Sequence, residues 1–480
     1  MTTEIIRLRE GVDVVPDATG VTFVQPGRGG GAGPITAGQH AMLRLLAGTG
    51  GTRRRLTEEV TATDGPAGIA HAYALLTALW RGGWLRGTLE ADGRAMVSIE
   101  PSGASGASGW PAATRFGPVP EPFGGAVVLS RFALARRSAG TLLLESPRTG
   151  AVATLHDARA ALLLGRLVSP LSPQAAADLG EWAPAVLAAL LDCGLAVPEE
   201  SAEETEPSLR QWAPHELWFH VRSNAASPGQ PWGGTAWAGH RFPPLPARSP
   251  AAGTDRVLLP VPDLDAVTAT DPPLTQVIES RRSIREHDDE RPIDVPRLGE
   301  FLYRTARVRR IRELGGTEVV DRPYPSGGSL HELEVYLVAG DVVGLERGLY
   351  RYDGVEHALD RLAPYEQHVA ELSARAASLV NMAGLPQVVI VLSARFGRTM
   401  WKYESMAYAL VLKNTGVLQA SMYMVATAMR LAPCAIAGPD AGVFARATGL
   451  DPATEASVGG FVLGTTRRRP PSRREGEQPS

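Results

Sequence analysis

From about residue 265 the chain alternates between two hydrophobic periods. In "PLTQVIESRRSI" and "PRLGEFLYRTARV" apolar positions recur three and four apart, and the second segment sets Leu298, Phe301, Leu302 and Thr305 on one face behind a proline in its first turn. Both segments predict helices. The runs "LEVYLVAG", "QVVIVLSA" and "GGFVLGT" predict buried strands, and "GLYRYD" with "ALDRL" a hairpin. A long helix is predicted from about Tyr403 to Arg430. Residues 265–470 therefore read as an α+β domain, a mostly antiparallel sheet around a long central helix, with 471–480 as a disordered tail.

The first 200 residues read as a diverged tandem repeat. In residues 1–100 the strand "GVTFVQP" precedes the helices "TAGQHAMLRLLAG" and "GIAHAYALLTALWRGGWLRG". In residues 119–200 the strands "AVVLSRFALARR" and "GTLLLESP" precede the helices "LHDARAALLLGRLVSPLS" and "APAVLAALLDCGLAV". Each half runs from an apolar helix through glycine into a short strand, as a winged-helix module enters its wing. Their helices are rich in alanine and leucine rather than in the basic and amide side chains of a DNA reader, which favours a peptide-binding or purely structural pair. "GRGGGAGP" is expected to be a flexible turn. "EPSGASGASGWPAATRFGPVPEP" reads as a linker, and residues 201–264, acidic and then proline-rich around "HELWFH", as a linker and packing segment.

Composition narrows the function classes. A chain of 480 residues with 44% hydrophobic and 21% charged residues and a net charge of −3 fits a globular protein of several domains, and argues against one built on phosphate contacts to nucleic acid. Its start, "MTTEIIRLRE", has no apolar core of a secretory signal, and no run is long enough to span a bilayer, so a cytoplasmic, membrane-free protein is expected. Cys193 and Cys434 fit buried thiols. No metal is expected, because there is no HExxH and two cysteines cannot build a four-thiolate zinc site. No lysine stands in a P-loop context. The 48 cationic residues include two lysines, Lys402 and Lys413, both in "WKYESMAYALVLK". An amine, unlike a guanidinium, is readily tuned and can exchange a proton at working pH.

Three further stretches carry candidate chemistry. "SRRSIREHD" gathers Arg281, Arg282, Ser283 and Arg285, whose guanidinium forks and hydroxyl suit phosphate oxygens, although an arginine-rich surface reads the same way. "RPYPSGGSLHELEVYLV" exposes backbone N–H groups at paired glycines beside Ser326, Ser329 and His331, as a bland turn before a strand also would. "APCAIAGPD" offers small residues against which a planar ring can press.

In order and spacing, "RRSIR", "PSGGSLH" running into "EVYLV", the "KY" before the long helix, "CAIAG" and the arginines of "TTRRRP" resemble the FMN-dependent nitroreductase superfamily. Within it they resemble the azoline dehydrogenases of ribosomal peptide biosynthesis, the SagB or cyanobactin-oxidase type, which carry winged-helix-like peptide clamps ahead of the flavin domain. The resemblance implies FMN held by Arg281, Arg282, Ser283, Arg285 and an arginine at Arg467 or Arg468. Ser326, Gly327 and Ser329 would lie along the flavin, and Ala437 and Gly438 at its N5 edge. Lys402 and Tyr403 match the pair to which the family's catalysis is attributed. The resemblance also implies a homodimer, a precursor-peptide substrate, a cyclodehydratase complex as partner, and dioxygen as final acceptor. Two positions depart from the family pattern: Glu332 replaces a common proline, and "KNTGVL" the usual Ala-Gly-His of the mid-helix. The competing readings are an NAD(P)H-dependent nitro- or quinone-reductase and a flavin-free peptide-docking scaffold.

Overall fold

Glycine and hydrophobic spacing together shape the first unit. The computed structural model describes residues 2–17, 20–25, 28–101, 124–224, 231–250, 255–438 and 440–467. These fall into two units, Met1–Trp232 and Gly233–Ser480. The expected linker at 102–123, the tail 471–480 and Arg468 lie outside the described residues. Helix Ala37–Ala47 starts in a capping box, in which the Thr36 hydroxyl accepts from the Gln39 N–H and the Gln39 side chain accepts from the Thr36 N–H. Helix Gly68–Arg81 buries Ala72, Leu75, Leu76 and Leu79 at helical spacing and ends at Gly82. The chain then forms the hairpin of Leu85–Ala91 with Arg94–Pro101, turning at Asp92 and Gly93, both at positive φ.

Both expected modules feed one six-stranded antiparallel sheet, because Arg94–Pro101 pairs with Ala151–Leu155 of the second half. One large core cluster runs from Ile6 to Ala196. Helix Ala183–Asp192 passes through Gly194, at φ +68°, into strand Ala196–Pro198, which pairs with Val127–Leu129. "AVVLSRFALARR" forms two short strands, Val127–Leu129 and Leu134–Ser138, rather than one. The glycine-rich stretch near residue 30 is not a flexible turn. Arg28–Ala32 is a strand paired with Gly20–Gln25, and glycine is needed because a Cβ at Gly30 would stand 2.9 Å from the Trp84 ring, which stacks on Phe23. Helix Arg53–Asp64 was hidden in the sequence because only Leu56 and Val60 are buried on it.

The second unit is a seven-stranded antiparallel sheet in the order Arg256–Leu258, Ala358–Pro364, Gly348–Asp353, Leu333–Ala339, Val388–Arg395, Glu455–Thr465, Leu431–Ile436. Its central strands are apolar at nearly every position because both faces are covered. Leu333, Val335, Leu337, Ile390 and Leu392 pack with Phe301, Val411 and Leu418 of helices Val295–Ala306 and Ala407–Ala428. Tyr336, Val338, Val389 and Val391 pack with Leu372 and Phe444 of helices Gln367–Leu379 and Ala441–Thr448 on the other side. The long helix begins at Ala407, not Tyr403. The segment 201–264 is divided: Leu217 and Val221 pack on Phe132 in the first unit, whereas residues from Gly233 onward belong to the second.

A candidate active site at the start of the long helix

Lys402 and Tyr403 lie just before the long helix, with Tyr403–Glu404 in a two-residue strand against Gly233–Gly234. Both side chains are half-buried, and the Lys402 ammonium stands 5.4 Å from the centroid of the Tyr403 ring. They converge on the turn of residues 326–329. A Cβ at Gly328 would fall 2.5 Å from the Tyr403 hydroxyl and 3.4 Å from Lys402 Nζ. The turn is tightly wound, with Gly328 at φ +65°, Ser329 at +56° and His331 at +47°. Non-glycine residues in that region carry local strain, which gathers at functional sites.

One amide fixes this turn to the helix. Asn414, 6% exposed, accepts from the Gly327 N–H at 3.1 Å and donates to Ser326 Oγ at 3.1 Å and to Glu332 Oε1 at 2.9 Å. Glu332, 1% exposed, also receives the Ser326 hydroxyl at 3.4 Å. The two departures from the family pattern are thus hydrogen-bonded partners, 82 residues apart. Beneath the turn, the buried His331 and Tyr324 rings meet edge to face, and burial moves both titrations away from neutrality, His331 down to about 3 and Tyr324 above its usual range.

The structure gathers a second group at the other end of the same helix. Helix Leu274–Ser280 stops before the arginines, so Arg281, Arg282 and Ser283 follow it in extended chain. The Ile284 N–H donates to Pro433 O at 2.8 Å. Ser283 Oγ lies 2.7 Å from the Tyr423 hydroxyl, which accepts from the Ala435 N–H, and the Arg281 guanidinium stacks over the Tyr423 ring at 5.2 Å. Arg281, Arg282 and Arg285 are exposed and have no carboxylate at ion-pair distance among the described residues. Arg467, just past the last strand, donates to His287 O at 3.2 Å and lies 3.8 Å from the Asp289 carboxylate. Ala437 and Gly438 lie between the two groups, where a Cβ at Gly438 would meet Gly459 at 3.6 Å and Gln419 donates to Ile436 O and Gly460 O.

In one chain, therefore, Ser326, Gly327, Lys402 and Tyr403 come together, and Arg281 and Ser283 come together at Tyr423, whereas Arg467 stands beside His287 and Asp289. The groups are separated by the helix from Leu410 or Asn414 to Tyr423, about 14–20 Å at 1.5 Å per residue. Free guanidinium groups suit a phosphate, and a glycine turn that admits no Cβ suits a flat ring, so the residues fit FMN. Asn414 and Glu332 escaped the sequence reading as site residues, and their only signal was departure from the family pattern. Among the described residues no cluster of histidine, cysteine or carboxylate side chains suits a metal, and no helix is long and apolar enough to cross a membrane.

Comparison with known proteins agrees with this division. Residues 278–465 match the nitroreductase family model, and residues 127–227 match that of the cyanobactin oxidase ThcOx. The provisionally named nitroreductase MJ1384 of Methanocaldococcus jannaschii is 27% identical over 177 residues, 37% of this chain and 82% of that protein. The trifolitoxin-processing protein TfxB of Rhizobium leguminosarum bv. trifolii is 25% identical over 164 residues, 34% of this chain, and the match spans 44% of that protein. Among solved structures, the E. coli microcin synthetase McbBCD complex with truncated pro-MccB17 bound aligns over 52% of this chain and 91% of that chain, at 19% identity and a TM-score of 0.33.

Proposed function

We propose that this chain, whose C-terminal unit is a nitroreductase-family domain, is an FMN-dependent oxidoreductase that dehydrogenates peptide thiazolines or oxazolines to thiazoles or oxazoles. The observation that carries the reading is the convergence of Lys402 and Tyr403 on the glycine turn at Gly328. Similarity to a cyanobactin oxidase ahead of the flavin-type domain, and to a trifolitoxin-processing protein, supports a peptide substrate.

Aromatising the ring removes a hydride from one carbon and a proton from its neighbour. Bound FMN would supply the hydride acceptor at N5, and dioxygen the final acceptor that makes the cycle catalytic. The chain's own task is the proton. The Tyr403 phenol and the Lys402 amine stand at the same side of the turn, so a proton taken at one oxygen or nitrogen is shared with a second group a few ångströms away. Ser326, Gly327 and Ser329 would line the flat ring system, with Ala437 and Gly438 opposite the reacting edge, while Arg281, Arg282, Ser283, Arg285 and Arg467 would hold the phosphate.

The separation along the helix supports a homodimer, in which a second copy brings its own turn to the first copy's arginines. The helix face of Tyr408, Leu412, Gly416 and Ala420 is exposed, and nothing lies within 4 Å of a Cβ at Gly416. The N-terminal unit would hold the precursor peptide, with a cyclodehydratase as supplier of the azoline.

The test is a visible spectrum of the purified protein with identification of any released chromophore, followed by turnover of an azoline peptide. FMN with loss of two hydrogens per ring is expected, and Tyr403→Phe and Lys402→Arg are expected to abolish it. Full turnover in both variants discards the proton role. Flavin bleached by NAD(P)H without azoline turnover moves the assignment to a nitro- or quinone-reductase, and a protein that cannot be loaded with FMN to a scaffold.

A further inference from the structure

We infer that residues 233–247 form a strap that positions Lys402 and Tyr403 against the glycine turn. The inference takes the importance of that pair from the proposed function, but its geometry stands apart from it. The strap lies between the two segments matched by known families, 127–227 and 278–465. Its proline- and glycine-rich sequence reads as a connection, yet its backbone is engaged along its length. Gly233 and Gly234 pair with Glu404 and Tyr403. The Ala236 N–H donates to Lys402 O at 2.9 Å, and the Thr235 hydroxyl to the Glu404 carboxylate. Trp237 Nε1 donates to Met400 O at 2.6 Å, and from the opposite side Trp401 Nε1 donates to Phe242 O at 2.8 Å.

Small residues bring the strap this close. A Cβ at Gly234 would lie 3.4 Å from Tyr403 Cε1 and 3.8 Å from Lys402 Cε, so the tyrosine reaches from Gly234 of the strap to Gly328 of the turn. Arg398, 3% exposed, ties the parts together by donating to Leu245 O of the strap at 2.7 Å, to Leu330 O at the end of the turn at 3.1 Å, and to Glu318 O at 2.8 Å. Burial lowers its titration to about 10, and backbone carbonyls from three separate segments satisfy its fork. A mere tether has no use for such a joint.

Thr235→Val combined with Trp237→Phe removes two side-chain donors and keeps most of their bulk. Because the chain has only two lysines, brief acylation with acetic anhydride and peptide mass spectrometry reads Lys402 against the exposed Lys413 in the same molecule. Loss of the two bonds is expected to raise the Lys402 to Lys413 labelling ratio at least about threefold, with no change in Phe242→Ala, whose ring is exposed. An unchanged ratio at an unchanged melting temperature overturns the strap. If the double variant melts earlier, the single Trp237→Phe, which loses one surface bond, decides by the same ratio. The readout needs no turnover: altered labelling in a protein inactive on azolines keeps the strap and discards the reaction, and unaltered labelling in an active one does the reverse.

Discussion

Asn414→Ala is the sharpest perturbation of the site that leaves its reacting groups in place. The substitution deletes the bonds to the Gly327 N–H and Ser326 Oγ and the bond to the Glu332 carboxylate. Two neutral hydrogen bonds contribute about 1 kcal/mol each, and one to a charged group about 1.5–3 kcal/mol. Alanine returns about 0.5 kcal/mol of helix propensity. The expected net loss is about 3–4.5 kcal/mol. Much of it arises because, among the described residues, Glu332, 1% exposed, keeps only Ser326 at 3.4 Å on its carboxylate. In a Glu332→Gln background the stranded group is neutral, and the same substitution is expected to cost about 1–2 kcal/mol less. The four proteins of this cycle are to be compared by denaturant unfolding and by amide exchange over residues 324–332, where the freed Gly327 N–H should exchange at least about tenfold faster, the equivalent of about 1.4 kcal/mol. A loss below about 1 kcal/mol, or an equal loss in both backgrounds, would refute the claim that the amide and the carboxylate act as one joint.

Gly328→Ala places a Cβ 2.5 Å from the Tyr403 hydroxyl at φ +65°, whereas Gly327→Ala meets only the flexible Leu410 side chain at 3.2 Å; circular-dichroism melts should show the first as the worse by at least about 1 kcal/mol. His287 and His331 are held neutral by burial, with titrations lowered to about 4 and about 3. Their unfolded counterparts take a proton near ~6.5, so the unfolded state binds more protons and stability falls as pH drops from about 6.5 toward 4, by about 1.4 kcal/mol per pH unit for each imidazole. His331→Asn should remove its share of that slope in denaturant titrations, and an unaltered slope would contradict the assignment. Arg281→Gln with Arg282→Gln should weaken FMN at least about tenfold more than riboflavin in fluorescence-quenching titrations, because only FMN carries the phosphate; equal losses would remove the guanidinium groups from that role.

The fold of the C-terminal unit was legible because its strands are buried on both faces and its helices on one, so period and length spoke directly. Its site was legible in pieces. Arginines beside a serine, paired glycines and a Lys-Tyr dipeptide are local patterns, and the family resemblance supplied their order. What the sequence could not display is contact between distant residues. Glu332 and Asn414 each look like an arbitrary polar substitution until their bond is seen. The strap reads as a linker because a two-residue strand of glycine has no hydrophobic period, and pairing with residues about 170 positions away leaves no local trace. The glycine strand at residue 30 misleads for the same reason: absence of a side chain looks like freedom, and here it makes room for Trp84.

The two lysines part company in the structure. Lys413 is exposed on the helix, next to the buried Asn414. Lys402 is half-buried, its Nζ 3.4 Å from the Cβ position of Gly328 and beside the Tyr403 ring. A guanidinium is wider and longer than an ammonium, so an arginine here must push against the turn that Asn414 and Arg398 hold from either side. Under the proposed function, size and proton chemistry are separate demands on position 402, and two variants separate them. Lys402→Met keeps length without charge or crowding and is expected to retain bound FMN while losing azoline turnover. Lys402→Arg keeps charge and adds bulk, and is expected to lose turnover together with part of the FMN occupancy read at the flavin absorbance band. The opposite order of occupancy, arginine above methionine, would mean that the site asks position 402 for charge alone and that the compactness of the ammonium is incidental.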